Sequence, residues 1–217
     1  MSSGILYEVN IGALALKGLL GAPEAARALV IFAHGSGSGR LSPRNNYVAE
    51  ALRESGLATL LLDLLTPEEE LRRSNVFDIP LLAKRLLMAT AWAKGQTPSA
   101  RLPIGYFGAS TGAGAALVAA ADDDGIFAVV SRGGRPDLAG DALERVRAPT
   151  LLIVGGHDYP VIGLNREAQQ RLKVESELVI VPRATHLFEE PGALDQVIAH
   201  ASRWFLTHFP QTKRHSA

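Results

Sequence analysis

Gly105-Tyr106-Phe107-Gly108-Ala109-Ser110-Thr111-Gly112-Ala113-Gly114-Ala115-Ala116 joins an apolar run beginning at Pro103 to an alanine-rich run ending at Ala121. The first run reads as a strand and the second as a buried helix, with a sharp turn between them. Gly108, Ser110 and Gly112 have the G-x-S-x-G spacing of a strained strand-to-helix turn, in which side chains two residues before and after the serine have no room. Such a turn lifts Ser110 Oγ out at the carboxyl end of a sheet. It also puts the Thr111 N–H at a helix N-terminus, where a developing anion is stabilised. A plainer alternative has Ser110 cap a helix that packs tightly through Gly112 and Gly114.

Composition narrows the classes. At 217 residues the chain fits one domain with a core large enough to need no staples. Lys plus Arg and Asp plus Glu are both 22, so no net field draws the protein to nucleic acid or to an anionic membrane. The partner that remains is a small molecule. Absence of cysteine excludes disulfides, thiolate metal sites and a cysteine nucleophile. Glu8, Asn10 and Lys17 interrupt the apolar start of the chain, which is therefore not read as a signal peptide, and no run reaches the length of a bilayer span. The expected location is the cytoplasm. Nothing in the sequence specifies an oligomeric state.

Working outward, short apolar runs alternate with helical patterns. Residues 5–11 and 13–19 read as an antiparallel entry pair, 28–33 as a strand buried on both faces, and 57–62 as the next strand. Helices are expected at about 43–55 and 79–94. Beyond the turn, strands are expected at 126–131, 149–154 and 178–181. Helices follow at about 141–146, 161–172 and 193–209, and a tail from about 210 is expected to fray. Repeated strand-helix alternation implies a mostly parallel sheet covered on both faces. Ligands of such sheets bind outside the carboxyl ends of the strands.

The polar clusters fall at those ends. A serine that attacks a carbonyl needs a base to take its proton and an acid to orient the base, in the chain order Ser, Asp or Glu, His. Asp158, in GGHDYPV, and His186, in ATHLF, meet that order. Asp158 has a rival reading as a helix cap, and Asp137, in SRGGRPD, is the alternative acid. His34, His157, His200, His208 and His215 are poorer bases by position. Arg132 and Arg135 lie beyond another strand end and are candidates to pair with a substrate carboxylate, or else are surface charges.

The loop His34-Gly35-Ser36-Gly37-Ser38-Gly39 has two readings. As a phosphate cradle it fails the G-x-G-x-x-G spacing, because Arg40 stands at the sixth position from Gly35, and no G-K-[ST] follows. As the loop after an early strand it supplies the second oxyanion donor, the N–H of Ser36, opposite that of Thr111.

Taken together, FAHGSGSGR, GASTGAG, VGGHD and ATHLFEEPG resemble the α/β-hydrolase superfamily over essentially the whole chain, and within it the dienelactone hydrolase-like branch. The resemblance implies a three-layer α/β-hydrolase fold with an antiparallel N-terminal entry. It also implies a serine hydrolase with Ser110 as nucleophile, His186 as base, Asp158 as acid, and the N–H groups of Ser36 and Thr111 as oxyanion hole. No metal or cofactor is expected. Ser110 stands where dienelactone hydrolases proper carry cysteine, so the resemblance points to ester hydrolysis rather than to a dienelactone substrate. Residues between Gly112 and Pro149 are too few for a large cap domain. The charged stretch 66–78 reads either as a solvated connection or as a flap over the pocket. The expected activity is hydrolysis of small carboxylic esters, lactones or thioesters. The alternatives are a silent binding module on the same fold and an acyltransferase.

Overall fold

The computed structural model describes residues 5–96 and 99–210; the tail expected to fray lies, from position 211, outside the described residues. One eight-stranded sheet runs in the order β1-β2-β4-β3-β5-β6-β7-β8. The strands are β1 (Leu6–Ile11), β2 (Leu16–Gly21), β3 (Leu29–Ala33), β4 (Ala58–Leu62), β5 (Ile104–Ala109), β6 (Ile126–Arg132), β7 (Thr150–Gly155) and β8 (Ser176–Val181). β2 pairs antiparallel with both β1 and β4; every other pairing is parallel. That is the mostly parallel sheet with an antiparallel N-terminal entry expected from the sequence.

β3 shows why the sheet lies at the centre. All five of its residues are buried, and they divide by the two-residue period of a strand. Leu29, Ile31 and Ala33 join one apolar cluster, Val30 and Phe32 the other. The first cluster is completed by α4 (Ile79–Lys94), α5 (Thr111–Asp122) and α6 (Tyr159–Arg171), the second by α1 (Pro43–Glu54) and α7 (Ala193–His208). Helices therefore cover both faces. None among the described residues is long and apolar enough to cross a membrane.

Caps set several helix starts. Ser42 Oγ accepts from Asn45 N–H ahead of α1, and Asp78 Oδ1 accepts from Leu81 N–H ahead of α4 at 2.9 Å, each satisfying an otherwise orphaned donor.

Two local expectations need correction, and one charged stretch proves to be structured. The second strand begins at Leu16 rather than residue 13, because Gly12 and Ala15, at φ 63° and 49°, form the turn, closed by Ala15 N–H on Gly12 O at 3.1 Å. The charged stretch 66–78 folds into two short helices, α2 (Pro67–Glu70) and α3 (Arg73–Val76). Thr66 and Glu69 form a reciprocal capping box that starts α2. The helix expected at 141–146 is part of a longer 3-10 segment, Pro136–Arg145, kinked at Gly140 with φ 53°.

Candidate active site

β5 ends in the strained turn that the glycine spacing predicts. Ser110 has φ 50° and ψ −123°, a backbone region that a non-glycine residue holds only when its surroundings over-determine it. They do so here. Its N–H donates to Arg132 O at 3.3 Å, and its carbonyl accepts from Ala113 N–H at 3.1 Å and Arg135 N–H at 3.0 Å. A Cβ on Gly108 would lie 2.5 Å from Ala113 Cα, and one on Gly112 would lie 2.2 Å from Ala33 O. Helix and strand can close on the serine only without those side chains. Ser110 makes no side-chain capping bond, so its hydroxyl is not spent as a helix cap.

The hydroxyl meets His186 instead. His186 Nε2 lies 3.3 Å from Ser110 Oγ and His186 Nδ1 lies 2.6 Å from Asp158 Oδ2. A carboxylate only accepts, so Nδ1 carries the proton and donates it, which leaves Nε2 to accept from the serine. Asp158 stands at the N-cap position of α6 yet caps nothing with its side chain. Its carboxylate is free to orient the imidazole. Asp137, the rival acid, receives Arg135 Nε and Nη2 at 2.9 and 2.7 Å and is not joined to His186.

That pairing corrects one expectation: Arg135 is committed to Asp137 and does not line the cavity beside Ser110. His34 is also accounted for. Its Nε2 accepts Leu64 N–H at 3.1 Å, and its Nδ1 lies 3.0 Å from Gly35 O. It fastens the 34–39 loop to the end of β4. Arg40 adds a second tie, through its N–H to Asp63 Oδ1 at 2.7 Å and its guanidinium to Asp63 Oδ2.

Glycines other than the turn pair bring the loops together, and the sequence reading did not assign them this part. A Cβ on Gly35 would stand 2.8 Å from Ser110 Cβ. On Gly155 it would meet Ala184 O at 2.4 Å and Thr185 O at 2.6 Å. The loops that carry Asp158 and His186 thus lie against one another, held by His157 N–H on Ala184 O at 2.9 Å and Gly156 N–H on Val181 O at 2.8 Å. The signal in the sequence was the pairing of each glycine with a neighbouring motif, and single-chain spacing cannot show it.

A cavity of about 760 Å³ opens over Ser110. Ser36, Thr111, His186 and Arg132 line it, and Glu70 and Val76 of the α2–α3 stretch reach its wall, so that stretch borders the pocket. Ser36 N–H donates to Thr111 Oγ1 at 3.2 Å. Arg132 is 8% exposed. Its Nε and Nη1 have no hydrogen-bond partner among the described residues. Burial, with the Arg44 charge adding to it, pushes its guanidinium down to about 10, which leaves it charged at neutral pH. A buried cation without a counter-ion is costly, and a ligand anion would relieve it. Among the described residues no cluster of three or more His, Asp or Glu is disposed to hold a metal ion.

Strand order, turn and hydrogen-bonded relay define an α/β-hydrolase. The solved structure of dienelactone hydrolase from Anabaena variabilis ATCC 29413 is 56% identical, with a TM-score of 0.92, over 96% of this chain and 100% of that one. The chain belongs to the dienelactone hydrolase family. Est1E from Butyrivibrio proteoclasticus shares the fold at 18% identity and a TM-score of 0.77, over 94% of this chain and 98% of that one. Two Mycobacterium tuberculosis proteins, from strains CDC 1551 and H37Rv, each named "Putative phosphoribosyl transferase", are 60% identical over 202 residues, 93% of this chain. The chain spans about half, 46%, of the length of those two. No family model matches it.

Proposed function

We propose that the protein hydrolyses small carboxylic esters, lactones or thioesters through an acyl-enzyme on Ser110. The observation that carries this reading is the relay from Ser110 Oγ to His186 at 3.3 Å and on to Asp158 at 2.6 Å, at the mouth of the cavity. Ser110 Oγ attacks the carbonyl carbon as His186 Nε2 takes its proton, and Asp158 holds the imidazole and stabilises the imidazolium. The C=O electron pair moves onto oxygen, where the N–H groups of Ser36 and Thr111 receive the charge. The intermediate collapses with the proton returned to the leaving group, and water attacking by the same route frees the acid and restores Ser110. Arg132 receives an acidic group on the substrate.

The name of the M. tuberculosis relatives belongs to chains about twice as long. The hydrolase reading is kept for this chain in place of the activity in that name. Support comes from the Anabaena hydrolase, which this chain covers from end to end. The test is a fluorophosphonate probe followed by peptide mapping. Ser110 should carry the label, and Ser110→Ala should remove both label and p-nitrophenyl acetate turnover. Labelling elsewhere, or none, would sink the reading.

A further inference from the structure

Thr111 Oγ1 accepts the Ser36 N–H at 3.2 Å. That contact uses a lone pair of the hydroxyl and leaves its hydrogen uncommitted to any protein acceptor, since the side chain makes no other hydrogen bond among the described residues. Thr111 is 5% exposed, so its side chain is held in place by its surroundings. It lines the same cavity as Ser36, Ser110 and His186, and it is the first residue of α5. A fixed donor that no protein group has claimed is available to an acceptor that enters the cavity.

We propose that the Thr111 hydroxyl is a catalytic donor to the oxyanion, a third beside the two backbone N–H groups. This rests on the serine-hydrolase reading and deepens it. As the Ser110 Oγ–C bond forms, the carbonyl electron pair moves onto oxygen and the serine proton goes to His186 Nε2. Thr111 keeps its own proton and points it at the new alkoxide. The Ser36 N–H behind Oγ1 polarises the hydroxyl and strengthens it as a donor. An incoming carbonyl cannot claim the Ser36 N–H without sharing it with Thr111, so the two groups act as a unit.

Thr111→Val removes the hydroxyl at nearly constant shape, and Thr111→Ser keeps it. On one p-nitrophenyl ester, Thr111→Val should lower kcat about a hundredfold, the cost typical of one lost oxyanion donor, with KM within about threefold of wild type. Affinity for a trifluoromethyl ketone, which forms a tetrahedral adduct on the serine, should weaken by a similar factor. Thr111→Ser should recover most of both losses. A residue that merely packed the helix start would not produce that parallel loss in kcat and adduct affinity. If Thr111→Val does not fold, Thr111→Ala is read against the same thresholds. A kcat within about threefold of wild type, a kcat above it, or a loss confined to KM would each overturn the proposal while an active, Ser110-labelled wild type left the hydrolase reading intact. A wild type that neither turns over nor labels would remove both.

Discussion

Asp158 and Asp137 are carboxylates a short step beyond a strand, both downstream of Ser110, and their partners tell them apart. Asp158 faces His186, while Asp137 is gripped by Arg135 through two bonds. Losing the orienting carboxylate of such a relay lowers kcat by up to about four orders of magnitude with the geometry left in place. Asp158→Asn should therefore cost at least about a hundredfold in kcat with melting nearly unchanged, and Asp137→Asn should stay within about tenfold. The reverse ranking would move the acid to Asp137. Arg132 differs from Arg135 in the same way, because its Nε and Nη1 have no hydrogen-bond partner among the described residues. Arg132→Gln should raise KM for monophenyl succinate about tenfold or more, the scale of one charge-assisted hydrogen bond, and leave KM for the neutral methyl phenyl diester within about twofold. Equal shifts for both esters would remove Arg132 from substrate recognition. Ser110, Asp158 and His186 were legible as a chain order. The division of labour between Arg132 and Arg135 was not, because two arginines three residues apart, one closing β6 and the other just beyond it, differ in sequence only by that spacing and are told apart by what the fold sets beside them.

The helices and strands that matter most announced themselves through residues that could serve no other arrangement. Gly108 and Gly112 are the clearest, since a Cβ on either would enter neighbouring backbone. Gly112→Val should abolish activity and lower the melting temperature, because β3 and the start of α5 would have to part at Ala33 O, a contact with no flexible side chain to give way. A fully active variant would mean the close approach is dispensable. Other elements were hidden for equally physical reasons. Residues 13–19 carry a strand-like apolar pattern, but the turn takes Gly12 through Ala15 and moves the strand onward by three positions. The capping box of Thr66 and Glu69 was present in the sequence, masked by the charges around it. The 3-10 segment beyond β6 is set by the kink at Gly140, and spacing does not report a kink.

For the molecule as a whole, alternation of strand and helix was enough to give sheet direction and the end of the sheet at which the candidate site lies. It could not give the strand order, in which β4 and β3 exchange places between β2 and β5, because that depends on which edges meet after collapse. The order also divides the relay. Ser110 is delivered by β5, with β3 and β6 on either side, while Asp158 follows β7 and His186 follows β8, the last strand of the sheet and partly exposed along most of its length. Edge elements open at lower free energy than central ones. On titration with urea, ester hydrolysis should consequently vanish at a concentration where far-ultraviolet circular dichroism still reports most of the native signal, and dilution should bring it back at once. Coincident curves would show that β8 lets go only with the rest. The serine would outlast its base, and the protein would stop working while still largely folded.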